Sequence, residues 1–324
     1  MTAWQPDRRL IGPVGLTEQD IPDLNRLFSD AFTERYRRDG LAGVRVPPLN
    51  ATIWAYALRD AGAGAMVWRD EASRLVAFNV AHRSGSEGWM GPLAVRPDRQ
   101  GLGLGQVIVR AAIDALTQAK VSTIGLETMP RTVDNIGFYS RLGFLPGALT
   151  VTLTGEVPDR PARRGGLRLG ALPEDERADL LRRCQARLAR AAPGYDFTRE
   201  HQLTLELEIG DTVVVERAGA VQGFALYHSA PLAEARGGDE LRVLKLFAAG
   251  PGVLLEVLRA VESCAVQLRV DRVAVRCQTA FAQAYTMLVR RGYHVRWTDL
   301  RMTLTGFPEA HLPDEEILFS NWEI

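Results

Sequence analysis

The sequence predicts a mixed α/β chain made of two similar domains, each a central mixed β-sheet flanked by helices. Three observations carry that reading. Segments of strand and helix periodicity alternate along both halves. A stretch rich in Pro, Gly and Arg, Gly155 to Gly166, separates them. A late element also recurs: Phe138 to Phe144 (FYSRLGF) aligns with Met287 to Tyr293 (MLVRRGY), and Val151 to Gly155 (VTLTG) with Met302 to Gly306 (MTLTG). The same TLTG after the same helix-Gly-aromatic element in both halves points to duplication. A period of ~150 residues is too long for a solenoid of short repeats. The expected limits are 1–155 for the first domain, 156–166 for the linker, 167–306 for the second domain and 307–324 for a tail.

Taken in order, Thr17 is placed to cap a helix reaching Arg38. Glu18 and Asp20 lie in its first turn, and Ile21, Leu24, Leu27, Phe28, Ala31 and Phe32 form one apolar stripe. A helix at Thr52 to Asp60 precedes strands at Ala65 to Trp68, Leu75 to Ala81 and Trp89 to Val95. Three glycines, Gly101, Gly103 and Gly105, then open a helix carrying Val107, Ile108, Ala111, Ala112 and Leu116. A strand at Thr123 to Leu126, a helix at Asn135 to Leu142 and a closing strand at Val151 to Leu153 complete the first half. The second half reads as a strand at Leu167 to Leu172, a helix at Glu174 to Ala191 and strands at Thr212 to Val215, Val221 to Tyr227 and Leu241 to Phe247. A helix from Gly252 to about Leu268, a strand at Val273 to Val275 and a helix at Phe281 to Arg291 follow.

Composition argues against several classes. Lys plus Arg and Asp plus Glu both number 39, so no net field draws in nucleic acid or an anionic membrane. Three scattered cysteines and five scattered histidines give neither a disulfide framework nor a metal site. With no signal peptide and no run of the ~20 apolar residues a bilayer span needs, the expectation is a cytoplasmic protein.

The glycine run carries the chemistry. Three alternating glycines at a helix start leave backbone N–H groups unobstructed where the helix dipole is positive, which suits a phosphate or pyrophosphate. Gln100, just before, offers a side-chain donor. Gln106 stands where a P-loop needs lysine. A dinucleotide fingerprint has the acid Glu127 at a suitable distance, but its third glycine is misplaced and Arg96 to Gln100 intervene after the strand.

Leu93 to Gly105 (LAVRPDRQGLGLG) resembles motif A of the GNAT N-acetyltransferases, with Gln100, Gly103 and Gly105 at the named positions. Phe138-Tyr139 followed by Gly143-Phe144 similarly resembles motif B. The resemblance covers about Leu10 to Gly155. It implies acetyl-CoA as acyl donor, lying in a cleft between the strand ending at Val95 and the strand at Thr123 to Thr128. Backbone amides of Gln100, Gly101, Leu102, Gly103, Leu104, Gly105 and Gln106 would take the pyrophosphate. Leu93, Ala94 and Val95 would pair with the pantetheine. Tyr139 matches the general acid for the departing thiolate, a role a phenol suits because it is still protonated at neutral pH. The family's Asn seven residues before the tyrosine is replaced by Thr132, and Asn135, four before, is the remaining candidate contact. For the base that frees the acceptor amine, Glu127 comes first, with His82 and Glu87 in reserve.

The second half departs further. Ala248-Ala249-Gly250-Pro251-Gly252 replaces the loop and Leu288 replaces Tyr139, so that half is expected to have lost the cofactor and to support the first or shape the acceptor site. The function expected is transfer of acetyl to a primary amine of a small molecule or a protein N-terminus by direct attack, in a monomer or homodimer. A non-catalytic acyl-CoA sensor is the rival, and an NAD(P) enzyme the third reading.

Overall fold

The computed structural model describes residues 10–157, 166–234, 238–313 and 315–322, so most of the expected linker lies outside the described residues. In the first half the strands are β1 (Ile11–Gly15), β2 (Ala65–Arg69), β3 (Leu75–Ser84), β4 (Glu87–Val95), β5 (Thr123–Thr128) and β6 (Phe144–Glu156). Its helices are α1 (Ile21–Arg38), α2 (Ala51–Ala61), α3 (Leu104–Gln118) and α4 (Val133–Ser140). The second half has β7 (Leu167–Arg168), β8 (Gly210–Arg217), β9 (Ala220–His228), β10 (Glu240–Ala248), β11 (Arg272–Gln278), β12 (His294–Leu304) and β13 (Ile317–Ser320). Its helices are α5 (Glu174–Ala191), α6 (Thr198–Glu206), α7 (Pro251–Leu268) and α8 (Ala282–Arg290).

Local sequence explains most boundaries. Thr17 does open the first helical segment: its backbone N–H donates to Asp20 Oδ2 at 3.0 Å, closing a capping box over one tight turn before α1. The expected strand at Leu167 to Leu172 shrinks to two residues. Gly170 N–H donates to Asp211 Oδ1 at 2.9 Å, and that side-chain contact accompanies a turn at Leu169–Ala171 where the ladder would have continued.

The strands form one sheet in the order β1-β2-β3-β4-β5-β12-β6-β11-β10-β9-β8-β7, with β13 added on β10. Its centre interleaves the halves. β12 pairs antiparallel with β5 on one side, from Leu300↔Thr128 to Thr303↔Gly125, and with β6 on the other, from His294↔Thr154 to Leu304↔Phe144. β6 in turn pairs with β11 from Arg272↔Glu156 to Gln278↔Thr150. The first TLTG segment lies within β6 and the second runs off the end of β12 at Leu304 into a turn, and the strand at Val151 to Leu153 closes against the second half rather than against β5. Pattern alone misses this because a buried strand has the same alternation whichever neighbour it takes.

Helices cover both faces. α1 and α2 pack Leu24, Phe28, Trp54 and Leu58 on one face of β2 to β4, while α3, with Ile108, Val109, Ala112 and Leu116, and α4, with Tyr139, seal the other. In the second half α7 and α8 lie on one face and α5 on the other. Among the described residues no helix is long and apolar enough to cross a membrane.

One buried histidine gives a stability test. His201 on α6 is 3% exposed; its Nδ1 lies 2.7 Å from Thr212 Oγ1, and its ring meets Phe224 edge-on. Burial, then the charge of Lys245, pushes its pKa from 6.5 to about 3. The unfolded chain binds this proton below 6.5 and the folded chain does not. The neutral ring therefore contributes stability that is complete above 6.5 and lost as pH falls toward about 3, at up to ~1.4 kcal/mol per pH unit. Urea melts at pH 7, 5.5 and 4.5 are expected to show a steeper acid loss for wild type than for His201→Gln; parallel slopes would refute the assignment.

Candidate active site

The glycine loop is dictated by backbone geometry. Gly101 and Gly103 sit at φ +78° and +82°, where a side chain is strained, and Gly103 caps α3. A Cβ on Gly105 would come 3.2 Å from Phe138 Cζ, so the third glycine lets α3 and α4 approach. Gln100 does not simply face a ligand: its side-chain amide donates to the Val95 carbonyl at 2.9 Å and ties the loop to the end of β4. The Gln106 N–H closes on the Gly103 carbonyl at 3.1 Å. The remaining first-turn amides have no acceptor within the helix.

A groove of about 600 Å³ runs from this loop. It is lined by Leu93, Ala94 and Val95, by Gln100, Gly101, Gly103, Leu104, Gly105 and Gln106, and by Asn135 and Tyr139. Leu102 does not line it, and the residue is 40% exposed. Thr132 instead donates its hydroxyl to Asp39 Oδ2 at 2.6 Å, tying α4 to the end of α1. The opposite wall was not legible in the motif. Ala31, Phe32, Arg35 and Arg38 of α1 line it, together with Arg99, Phe138 and Arg141.

The groove opens where two strands part. β4 and β5 pair in parallel only from Glu87↔Thr123 to Met90↔Leu126. On β4's other side the register with β3 shifts between Asn79↔Leu93 and Ala81↔Met90, so Gly91 and Pro92 bulge. Beyond Met90 the β5-facing edge of β4 is free of β5. In the second half the corresponding opening is filled. β10 and β11 pair only from Glu240↔Arg272 to Val243↔Val275, and β13 then lies antiparallel on β10 from Lys245↔Ser320 to Ala248↔Ile317. The chain's own tail occupies that gap, and Leu288, at the Tyr139 position, is fully buried.

Past Tyr139 the groove continues into two compartments of about 240 Å³ each. The first joins Tyr139 and Leu93 to Tyr36, Glu127, Trp297 and Asp299; the second joins Glu127 and Asp299 to His82, Trp89, Arg276 and Trp322. Residues of both halves thus face the same space. Tyr139 is 7% exposed and packs edge-on against Phe138 and Phe144, and burial raises its phenol further above the ordinary range.

Glu127 is heavily engaged. Arg301 Nη1 donates to its Oε1 at 2.7 Å, Thr150 Oγ1 to the same oxygen at 2.5 Å, and Arg276 Nη2 to Oε2. Burial alone would raise its pKa, but the two guanidinium charges and these hydrogen bonds hold it below the usual carboxylate range. Such a group is a poor proton acceptor. Asp299 differs: burial, with the neighbouring Glu127 charge adding to it, raises its pKa despite Arg276 at 3.1 Å and Trp297 Nε1 at 3.1 Å. Glu87 lies outside the groove, 1% exposed, accepting from Trp89 Nε1 at 2.8 Å and Ser320 Oγ at 2.6 Å. His82 lines the inner compartment.

Comparisons with known proteins find matches to the first half and to the fold. Residues 21–144 match the acetyltransferase (GNAT) family model. The N-acetyltransferase ycf52 of Pyropia yezoensis, itself uncharacterized, is 38% identical over 78 residues, 24% of this chain and 43% of that protein. The counterpart from Porphyra purpurea is 40% identical over 77 residues, covering 24% and 42%. The chain thus spans less than half the length of these curated relatives. Among solved structures, an acetyltransferase assigned from Pyrococcus horikoshii superposes with TM-score 0.68 at 18% identity, over 99% of this chain and 97% of that one. A tandem GNAT protein from the clavulanic acid pathway gives 0.58 at 13%, over 93% and 99%. Saccharomyces cerevisiae N-myristoyltransferase with bound myristoyl-CoA gives 0.62 at 13%, over 95% and 82%. With the glycine loop, the parted strands and Tyr139 in one groove, residues 21–144 form an acetyltransferase domain of the GNAT family.

Proposed function

We propose that the chain transfers acetyl from acetyl-CoA to a primary amine, with the donor held by the first half and the acceptor entering a pocket built by both. The observation that carries this is the continuity of the groove: the glycine loop at one end, Tyr139 at the bend, and Glu127 and Asp299 in the space beyond. The pyrophosphate fits the amides of Gly101 to Gly105, and the pantetheine fits the β5-facing edge of Leu93 to Val95, with Asn135 beside it. Attack is direct: the amine nitrogen adds to the thioester carbonyl, the C–S bond breaks, and the Tyr139 phenol gives its proton to sulfur. Glu127 acts as an anchor joining Arg276 and Arg301 across the two halves. The duplicated second half, its own gap filled by β13, contributes walls rather than a second donor site.

Calorimetric titration with acetyl-CoA, NADH as comparator and Gly103→Trp as control, tests the reading. A tryptophan there must adopt φ +82° at a position that lines the groove. One-site acetyl-CoA binding is expected, weakened about 100-fold or more in the variant; NADH binding in its place would overturn it. The engagement of Glu127 by two arginines favours one rival, a sensor that holds acyl-CoA without turnover. An amine panel scored for free thiol separates the two.

A further inference from the structure

We propose that His82, oriented by Asp60, is the general base that takes the proton from the acceptor amine. The inference rests on the acyltransferase reading above and names a group of that same site. His82 on β3 is 2% exposed, and its Nδ1 lies 2.8 Å from Oδ2 of the equally buried Asp60 on α2. A carboxylate only accepts, so Nδ1 carries the hydrogen, and in the neutral ring it is Nε2 that presents the lone pair. That Nε2 is buried and has no hydrogen-bond partner, although its ring lines the compartment shared with Glu127 and Asp299. Buried polar atoms are nearly always paired, so an unpaired acceptor beside the reaction space marks a place where a donor arrives.

The surroundings hold the ring still. Trp322, brought in by the strand that fills the second half's gap, stacks on it at 6.0 Å and 26°. The charges facing the dyad are Glu200 on α6, which acts on Asp60, and Lys245 on β10, with Glu127, Asp299 and Arg276 across the compartment. Of the carboxylates there, Glu127 is taken by two arginines and Asp299 by Arg276 and Trp297.

His82 Nε2 removes one proton from the ammonium form of the acceptor, leaving a neutral amine. The amine nitrogen bonds to the thioester carbon, the C–S electron pair goes to sulfur, and sulfur takes the Tyr139 proton. The surplus proton on the new amide nitrogen returns to the phenolate, and His82 releases its proton to solvent.

The test compares primary alkylamines with hydroxylamine, which is already unprotonated at neutral pH. With acetyl-CoA as donor, His82→Gln is expected to lower kcat for the alkylamines by about 10²-fold or more, to leave hydroxylamine turnover nearly intact and to leave acetyl-CoA affinity unchanged. Asp60→Asn should show the same contrast more weakly, and serves if His82→Gln does not fold. Equal loss for both nucleophiles, or loss for neither, overturns the base role while wild-type turnover keeps the transferase reading alive. Wild-type protein that turns over no amine overturns both. Independently, ¹⁵N spectra of the wild type at pH 7 should show His82 as the Nδ1–H tautomer; an Nε2–H signal refutes the proposal without any acceptor.

Discussion

Expressed without residues 166–324, the first half is expected not to fold as a monomer. β6 pairs on one edge with β11 and on the other with β12, and both belong to the second half. β5 loses its β12 partner from Gly125 to Thr128 at the same time and keeps only β4. The isolated half would leave β6 with two open edges and would uncover Phe144, Leu153 and Leu126, all at most 1% exposed in the intact chain. Two copies can restore the missing pairing by lending each other β6, because β6 and β12 lie side by side at the centre and follow the same helix-Gly-aromatic element in each half. Gel filtration should therefore find the half insoluble or dimeric, and co-expression with 166–324 should return a soluble complex that binds acetyl-CoA. A monomeric first half with a cooperative melt would show that the interleaved strands are dispensable.

That interleaving marks the boundary of what the sequence discloses. The cofactor end was legible because its causes are local. Positive φ at Gly101 and Gly103 and close approach at Gly105 need glycine at fixed spacing, and Tyr139 follows at a fixed distance along the next βα unit. The acceptor end was not. Glu127 was recognisable as a carboxylate on a cleft strand, but the groups that lower its basicity, Arg276 and Arg301, lie 149 and 174 residues away. Nothing in the spacing of either arginine marks it as a partner. α1 was legible as an amphipathic helix, yet its pattern says only which stripe is buried, not that Phe32 and Arg35 wall the groove. The tail held a usable clue in Ile317, Leu318 and Phe319, a short apolar run of strand length; its destination, the gap beside β10, is again a non-local pairing.

The largest catalytic effect is expected at Tyr139. Replacement by Phe removes one oxygen and keeps the ring that packs against Phe138 at 5.1 Å and Phe144 at 6.1 Å, so the fold and the groove should survive. Acetyl-CoA affinity should change little, because the phenol's contribution comes as charge develops on the leaving sulfur. The kcat should fall by about 10²- to 10⁴-fold, the usual range for a positioned acid. The pH profile gives a second, independent reading. Burial raises the Tyr139 pKa above 10.0, so the phenol stays neutral through the alkaline range where a free one ionises. Wild-type kcat should accordingly show no alkaline fall up to about pH 10. A variant that keeps its kcat would mean that water protonates the thiolate. A steep alkaline fall lost in the Phe variant would mean that the phenol ionises readily, and that substrate opens the aromatic packing around it.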